Sequence, residues 1–278
     1  MSRPRRAIII AAGRGRRLGP HTEEVPKCMV PVGAAPILGW QWRALAAAGV
    51  EELVLIRGYR ADVLTRFASE LLPAVSFFDN PRWEHNNVLL SLACARAALD
   101  QPVLLSYSDI LFTPAVAEAA AASDAEIGLI IDRRFRDIYV GRSEHPLDEA
   151  EVASMTADGR VAKVGKRALP AAEAAGEFIG LARLGERGVA AFAQQLDELL
   201  ARYQGREEAP FQRAASFRNA YLTDLLQELI DVGDASAAPA PACDVRPIWI
   251  EGQWREIDTG QDLERARLLV DSGVKEWT

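Results

Sequence analysis

The chain has 278 residues, of which 49% are hydrophobic and 26% are charged, a composition typical of a soluble globular protein. Its net charge of −7 argues against broad binding to nucleic acid, because such binding requires an extended basic surface. The three cysteines are far apart and show neither disulfide nor metal-ligand spacing. No apolar run approaches the ~18 residues of a membrane span, and the N-terminus does not have the pattern of a signal peptide. We therefore expect a cytoplasmic protein with no membrane partner.

The first predicted element is a buried strand over Ala7–Ala12, which runs directly into the loop GRGRRLG at 13–19. Glycine lets the backbone turn its N–H groups toward an anion, and arginine adds a positive fork matched to phosphate oxygens. Pro26-Lys27 closes the segment with one more positive charge. A turn with a solvated basic face is the alternative. Because the chain is acidic overall, this local basic patch favours a small polyphosphate ligand.

Helices and strands then alternate. Residues 36–48 and 61–72 have apolar side chains at helical spacing, and residues 52–57 and 75–78 are predicted to be strands. Together with the first strand this is the order βαβαβ. That order predicts a parallel sheet with helices on both faces.

A loop and a helix precede the fourth predicted strand. Asn86 and Asn87 open the helix, which ends near residue 99, and each is either a helix cap or, through an amide that both donates and accepts, a contact to a nucleotide base. The strand at 102–106 leads to Asp109. Ligands collect at the carboxyl ends of the strands in open α/β sheets, so we predict that Asp109 binds a metal ion, with a capping or loop role as the alternative.

The middle of the chain contains an Ala-rich helix at 114–123, a fifth strand at 127–131, a hairpin at 154–166 and a strand at 177–182. The segment DRRFRDIYVGRSEHPLDEAEVA at 132–153 carries a cluster of arginines, which either point to solvent or contact a substrate. His145 could be mistaken for a catalytic base. Because proline follows it, we interpret it as a structural loop residue.

The last third is predicted to contain helices over 188–203, over 220–230 and from 262, with a strand at 245–250 and an Ala/Pro-rich surface loop at 234–242. Tyr221 and Asp224 are three positions apart and therefore share a face of their helix. They are either substrate contacts or an ordinary helix start.

Several of these segments together resemble a known family. AAGRGRRLGPHTEEVPKCMVPVGAAPIL at 11–38 matches the N-terminal signature of the sugar-1-phosphate nucleotidyltransferase superfamily, with Cys28-Met29 as a packing departure that leaves Lys27 in place. WEHNNVLLSLACARAAL at 83–99 resembles the NNxxSL segment of phosphocholine cytidylyltransferases and of related enzymes that activate small phosphonates. The arginine-rich segment at 132–153, EFIGLA at 177–182 and EIDTGQDLERA at 256–266 resemble further segments of that group.

The resemblance implies a Rossmann-like three-layer α/β/α fold with a mostly parallel central sheet and a small acceptor-side β/α insertion. It implies one nucleotidyltransferase domain over 1–278, with a nucleotide-binding part at about 1–112 and an acceptor-binding part at about 113–278. The implied activity is Mg²⁺-dependent transfer of CMP from CTP to a small phosphonate or phosphocholine-like acceptor, releasing pyrophosphate. A sugar-1-phosphate nucleotidyltransferase and a non-catalytic nucleotide-binding module are the alternatives, and a homodimer is one assembly we consider.

Carried over position by position, the resemblance assigns four groups of residues. The catalytic group is Lys27, Arg17 and Lys166. The group expected to bind CTP is Ala12, Gly13, Arg14, Gly15, Asn87, Ser91 and Ser108. The group expected to bind the acceptor is Arg133, Phe135, Arg142, Glu177, Tyr221 and Asp224. The Mg²⁺ ligands are Asp109 and Asp258.

The acceptor group contains a departure from the family pattern. Phe135 stands where the aromatic residue is usually tryptophan, the strongest face for a quaternary ammonium ion. Arginines crowd the same segment. Both observations favour a small phosphonate with an additional negative group over a choline head group. Glu177, in contrast, would bind a cationic group of the acceptor or pair with a nearby lysine.

Overall fold

A computed structural model describes residues 2–71, 74–235 and 243–272. Within these ranges the chain forms thirteen β-strands and eight α-helices. The strands are β1 (Arg6–Ile10), β2 (Pro31–Val32), β3 (Ala35–Pro36), β4 (Glu52–Arg57), β5 (Val75–Asp79), β6 (Val103–Tyr107), β7 (Ile110–Phe112), β8 (Ile127–Asp132), β9 (Glu151–Met155), β10 (Val161–Lys166), β11 (Gly176–Leu184), β12 (Val245–Ile250) and β13 (Trp254–Glu256). The helices are α1 (Ile37–Ala47), α2 (Ala61–Leu71), α3 (Val88–Cys94), α4 (Pro114–Ala122), α5 (Phe135–Tyr139), α6 (Glu186–Tyr203), α7 (Leu222–Ala235) and α8 (Gly260–Asp271).

The predicted strands and helices are present, with differences at their ends. The helix predicted from residue 86 to residue 99 ends at Cys94. The Ala95 N–H donates a hydrogen bond to the Leu92 carbonyl, three residues earlier, so the chain continues as a 3₁₀ turn. The helix predicted over 220–230 runs on to Ala235. Residues 236–242 of the predicted Ala/Pro-rich loop and the last residue of the helix predicted over 61–72 lie outside the described ranges.

The central sheet has nine strands in the described part of the chain, and β1 lies in its interior. Strand β1 pairs parallel with β4 on one side and with β6 on the other, and β5 extends the parallel part beyond β4. Beyond β6 the sheet continues through the antiparallel strand β11, to which β9 and β8 attach. The predicted Rossmann-like α/β fold is confirmed, and the β9–β10 hairpin lies in the predicted acceptor-side part.

Helices cover both faces of the sheet. Ile8 and Ile10 of β1 pack in a core shared with helices α3, α6 and α7, whereas Ala7 and Ile9 pack in a core shared with α1, α2 and α4. A strand that is buried on both faces needs a continuous apolar run, which is what the sequence shows at this position. None of the helices in the described ranges has the length and the apolar character required to cross a bilayer.

Two strand pairings bring together the loops that carry predicted site residues. Ile10 at the end of β1 lies beside Tyr107 at the end of β6, so the loops that follow these strands emerge side by side. A separate two-stranded sheet pairs β7 with β13, and the Ile257 N–H donates to the Asp109 carbonyl at 2.8 Å. The C-terminal segment is thereby fixed against the loop after β6.

Candidate active site

Lys27 is at the centre of the candidate site. Its Nζ lies 2.7 Å from Oδ2 of Asp109 and 2.6 Å from Oδ1 of Asp258, and the residue is 7% exposed. Burial alone would lower the pKa of Lys27, but the charges of Asp109 and Asp258 outweigh burial and raise it. Burial would likewise raise the pKa of Asp258, yet the neighbouring Lys27 lowers it overall. The site therefore holds an ammonium ion between two carboxylates.

The glycine loop leaves space for the side chain of Lys27. Gly15 has a φ of +73°, and a Cβ at this position would lie 2.8 Å from Cδ of Lys27. The loop is anchored because the Thr22 hydroxyl donates to the Gly15 carbonyl at 3.1 Å. At Gly13 a Cβ would have no heavy atom within 4 Å among the described residues other than Gly13 and its two chain neighbours, so this position faces open space. Arg17 forms an ion pair with Asp258 at the rim.

These residues form one end of a cleft of about 300 Å³. We call this the phosphate end: Ala12, Gly13, Gly15, Arg17, Lys27, Ser108, Asp109 and Asp258 border it. A second group of lining residues, which we call the acceptor end after the ligand predicted for it, combines carboxyl groups, aromatic rings and one lysine. It contains Tyr107, Glu149, Glu151, Lys166, Glu177, Phe178, Tyr221 and Trp254, and Glu256 borders the cleft near Asp258.

Polar residues at the start of helix α3 also border the cleft. The Asn87 Oδ1 accepts from the Val88 N–H at 2.9 Å, which is the cap expected as one alternative. The Ser91 hydroxyl accepts from Nδ2 of Asn80 at 2.9 Å, and Asn80 also donates to Oδ1 of Asn86. Asn87 and Ser91 are thus held in place beside the cleft, and their contact with a base stays a prediction.

Three residues that were predicted to bind a substrate do not border the cleft, because their side chains pack elsewhere. Phe135 is fully buried in the core beneath the sheet, where it begins helix α5. Arg133 is exposed, and its guanidinium lies 4.2 Å from the centroid of the Trp249 ring. Arg14 belongs to the glycine loop, but its guanidinium lies over the Tyr59 ring, 5.4 Å from the centroid.

Two further residues that were predicted to bind the acceptor form hydrogen bonds to other residues of the protein instead. Arg142 is buried, and it donates to the Asp262 carboxylate at 2.6 and 3.0 Å and to Oε2 of Glu256 at 2.9 Å. Asp224 accepts from the backbone N–H of Tyr221 at the start of helix α7. The arginines of the 132–153 segment were the reason to expect an additional negative group on the acceptor. Arg133 and Arg142, the two that were predicted to contact the acceptor, do not border the cleft.

The acceptor end contains carboxyl groups with raised pKa values. Burial, with smaller effects from Glu256 and Asp109, raises the pKa of Glu151 to about 8 although Lys166 and Tyr107 oppose it. Burial and then the charge of Glu256 raise the pKa of Glu177 well above its usual range. Oε1 of Glu177 accepts from the Tyr139 hydroxyl at 2.7 Å, whereas Oε2 is buried with no hydrogen-bond partner in the described ranges.

Lys166 lies at the same end. Its Nζ donates to Oε2 of Glu149 at 3.1 Å and lies 5.1 Å from the centroid of the Tyr221 ring. Burial alone would lower the pKa of Lys166, but its neighbours Tyr221, Glu151 and Glu149 raise it. The lysine is therefore held charged beside the cleft, as its predicted role requires.

Sequence reasoning missed two residues of the site. Glu256 borders the cleft and precedes Asp258 by two positions, so the period of an extended strand could have indicated that the two carboxylates share a face. His145 was interpreted as a structural loop residue. It is buried, with Nδ1 3.4 Å from Oδ2 of Asp258 and Nε2 3.5 Å from Oε2 of Glu256. No local signal in the sequence indicated this placement.

The donor atoms around Asp109 and Asp258 fit a hard divalent cation. The Asp109 Oδ1 is buried and lacks a hydrogen-bond partner among the described residues, and both carboxylates lie beside a single ammonium group. Carboxylate oxygens are preferred ligands of Mg²⁺. The two residues could therefore hold Mg²⁺.

Comparisons with known proteins agree with this geometry. A family model described as the MobA-like NTP transferase domain matches residues 7–199. The CTP:phosphoglutamine cytidylyltransferase of Campylobacter jejuni is 30% identical over 264 residues, which are 93% of this chain and 97% of that protein. The 2-aminoethylphosphonate cytidylyltransferase of Lancefieldella rimae is 28% identical over 58% of this chain and 60% of that protein.

A solved structure shows the same fold. The CTP:phosphocholine cytidylyltransferase of Streptococcus pneumoniae superposes with a TM-score of 0.69 and 18% identity, covering 96% of this chain and 99% of that one. The matched family region contains Lys27 and Asp109, whereas Asp258 lies beyond it and is brought to the site by the β7–β13 pairing. The predicted resemblance is confirmed: the chain belongs to the MobA-like NTP transferase family and is a nucleotidyltransferase.

Proposed function

We propose that this protein is a Mg²⁺-dependent cytidylyltransferase that transfers CMP from CTP to a small acceptor carrying a phosphate or phosphonate together with an amino group, and releases pyrophosphate. The observation that carries the proposal is the placement of Lys27 between Asp109 and Asp258 directly beneath the glycine loop. This arrangement supplies a phosphate cradle, a buried positive charge and two metal ligands at one end of a cleft.

The choice of CTP and of the acceptor is supported by the relatives. The proteins similar to this chain include enzymes named for CTP and for phosphoglutamine and for 2-aminoethylphosphonate. Both acceptors combine a phosphorus oxyanion with an amino group. We propose that residues at about 1–112 supply most of the nucleotide contacts and that residues after 112 supply most of the acceptor contacts.

The chemistry requires alignment and neutralisation of charge. An oxygen of the acceptor attacks the α-phosphorus of CTP, a new P–O bond forms, and the bond to the β-phosphate oxygen breaks so that pyrophosphate leaves. The attacking oxygen is ionised near neutral pH, so no general base is required. Lys27 neutralises charge on the α-phosphate and Arg17 binds the departing phosphates. Mg²⁺ held by Asp109 and Asp258 would add neutralisation of the phosphate charge.

The acceptor end favours a cationic group on the acceptor. Glu151 and Glu177 have raised pKa values because their negative charges are poorly compensated where they are buried, and an ammonium ion would compensate them. The rings of Tyr107 and Tyr221 border the same space and offer aromatic faces to a cation. Lys166 remains available for the phosphorus oxyanion.

The experiment is a pyrophosphate-release assay of the purified chain with CTP, UTP, GTP or ATP. Each nucleotide is paired with 2-aminoethylphosphonate, phosphocholine, phosphoglutamine or glucose 1-phosphate, with Mg²⁺ or with EDTA. We expect release with CTP and an amino-bearing acceptor, and loss of release with EDTA. Release with glucose 1-phosphate alone would favour the sugar-1-phosphate alternative, and no release with any pair would contradict the proposal.

A further inference from the structure

His145 is a buried histidine whose two ring nitrogens lie in ion-pair contact with carboxylates of the candidate site. It is 1% exposed, and neither ring nitrogen has a hydrogen-bond partner within the described ranges. Buried polar groups normally have a partner, so this one requires an explanation. Its two nitrogens face the carboxylates of Asp258 and Glu256 at 3.4 and 3.5 Å.

The three side chains have the spacing of ligands that share one ion. One donor atom from each of His145, Glu256 and Asp258 lies within 4.8 Å of the other two. Donors that share an ion at about 2.0–2.2 Å lie within about 4.4 Å of one another, so a small rotation of the side chains brings them into place. Arg142 occupies Oε2 of Glu256 and leaves Oε1 for a ligand.

The donor set differs from that of the proposed Mg²⁺ site. Asp109 and Asp258 offer oxygen, whereas this group adds an imidazole nitrogen. Mg²⁺ favours oxygen ligands, and imidazole nitrogen shifts the preference toward transition metals. Arg17, which pairs with Asp258, is half-exposed on its side chain and can move away when an ion binds.

The geometry points to a second divalent-cation site formed by His145, Glu256 and Asp258, which shares Asp258 with the proposed Mg²⁺ site and binds a transition-metal ion such as Mn²⁺. The inference requires neither CTP nor an acceptor. Cation binding to the free protein tests it, and absence of the proposed cytidylyl transfer would not contradict it.

The experiment titrates the full chain with Mn²⁺ alone and examines the bound ion by pulsed electron paramagnetic resonance, which detects a directly bound imidazole nitrogen. We expect a nitrogen coupling in the unmodified protein. His145→Ala should abolish this coupling and raise the Kd for Mn²⁺ at the site by at least about tenfold. The two other histidines are exposed, so His21→Ala and His85→Ala are matched controls that should keep the coupling.

Absence of a nitrogen coupling in the unmodified protein, or its persistence in His145→Ala, would overturn the inference. Circular dichroism reports whether His145→Ala is folded. If it is not, Glu256→Gln decides: a raised Kd for Mn²⁺ supports the shared site, and an unchanged Kd overturns it.

Discussion

The two ends of the cleft differ in how their charges are balanced. At the phosphate end the carboxylate of Asp258 has two cationic partners, Lys27 and Arg17, and its pKa is lowered. At the acceptor end burial raises the pKa of Glu151 and Glu177. The phosphate end therefore carries its own counter-charges, whereas the carboxyl groups of the acceptor end are poorly compensated, and we propose that a cationic group of the acceptor compensates them. Four experiments test this contrast.

The largest expected effect tests whether Arg142 belongs to the acceptor end or to the scaffold. Arg142→Ala should lower the free energy of unfolding by about 3–5 kcal/mol, because it leaves the buried Asp262 carboxylate without its cationic partner. Chemical denaturation measures the loss. Arg133→Ala is the control and should change stability by about 1 kcal/mol or less, since its contact with Trp249 is exposed. An unchanged stability with a raised acceptor KM would return Arg142 to the acceptor end.

Removal of Lys27 tests the phosphate end directly. Lys27→Ala should lower kcat by ~10²–10³, by analogy with the loss of one charge-stabilising donor at other active sites. Lys163→Ala, which removes an exposed lysine of strand β10, should leave kcat unchanged. Steady-state kinetics with a thermal melt of each variant separates catalysis from folding. A folded Lys27→Ala variant with normal turnover would show that the phosphate end has been misassigned.

Two glycine substitutions separate backbone strain from contact with Lys27. Gly15 and Gly19 both have positive φ in regions that other residues rarely adopt, so alanine at either position should lower stability by about 1–3 kcal/mol. A Cβ at position 15 would also collide with Lys27, whereas at position 19 it would meet no described atom within 4 Å. Turnover should therefore fall in Gly15→Ala but not in Gly19→Ala. Equal turnover in the two variants would contradict the role of Gly15 in positioning Lys27.

The smallest expected effect concerns pH at the acceptor end. Glu151 has a pKa of about 8 in the free protein and must lose its proton before it attracts an ammonium ion. The KM for an amino-bearing acceptor should therefore fall by up to about eightfold between pH 7 and pH 8.5, in proportion to the ionised fraction of Glu151. Glu151→Gln should remove this dependence.

The control for the pH experiment is Glu149→Gln. Although burial would raise the pKa of Glu149, its hydrogen bond from Lys166 lowers it, so this carboxylate is already ionised across the window. The variant should retain the pH dependence of KM whatever its absolute activity. A flat KM profile in the unmodified protein would show that Glu151 does not bind the amino group.

The two ends also differ in how far the sequence predicts them. Most of the phosphate end follows one strand and a contiguous motif, so Gly15 and Lys27 could be placed from local pattern and resemblance. The acceptor end depends on which way side chains turn once distant strands pack. Phe135 and Arg142 lie in a segment that resembles the acceptor region, yet tertiary packing turns both into the protein. His145 and Glu256 meet only through long-range pairing, which no local pattern reports.

The β7–β13 pairing has a consequence for the biogenesis of the enzyme. It delivers Asp258 to the loop after β6 from a segment that a ribosome synthesises only after β12, the last strand of the central sheet in the described ranges. A nascent chain interrupted before Trp254 would possess the glycine loop and Lys27 without the second carboxylate. If Asp258 binds the metal ion as proposed, such a truncated product would carry the glycine loop but lack one of the two metal ligands.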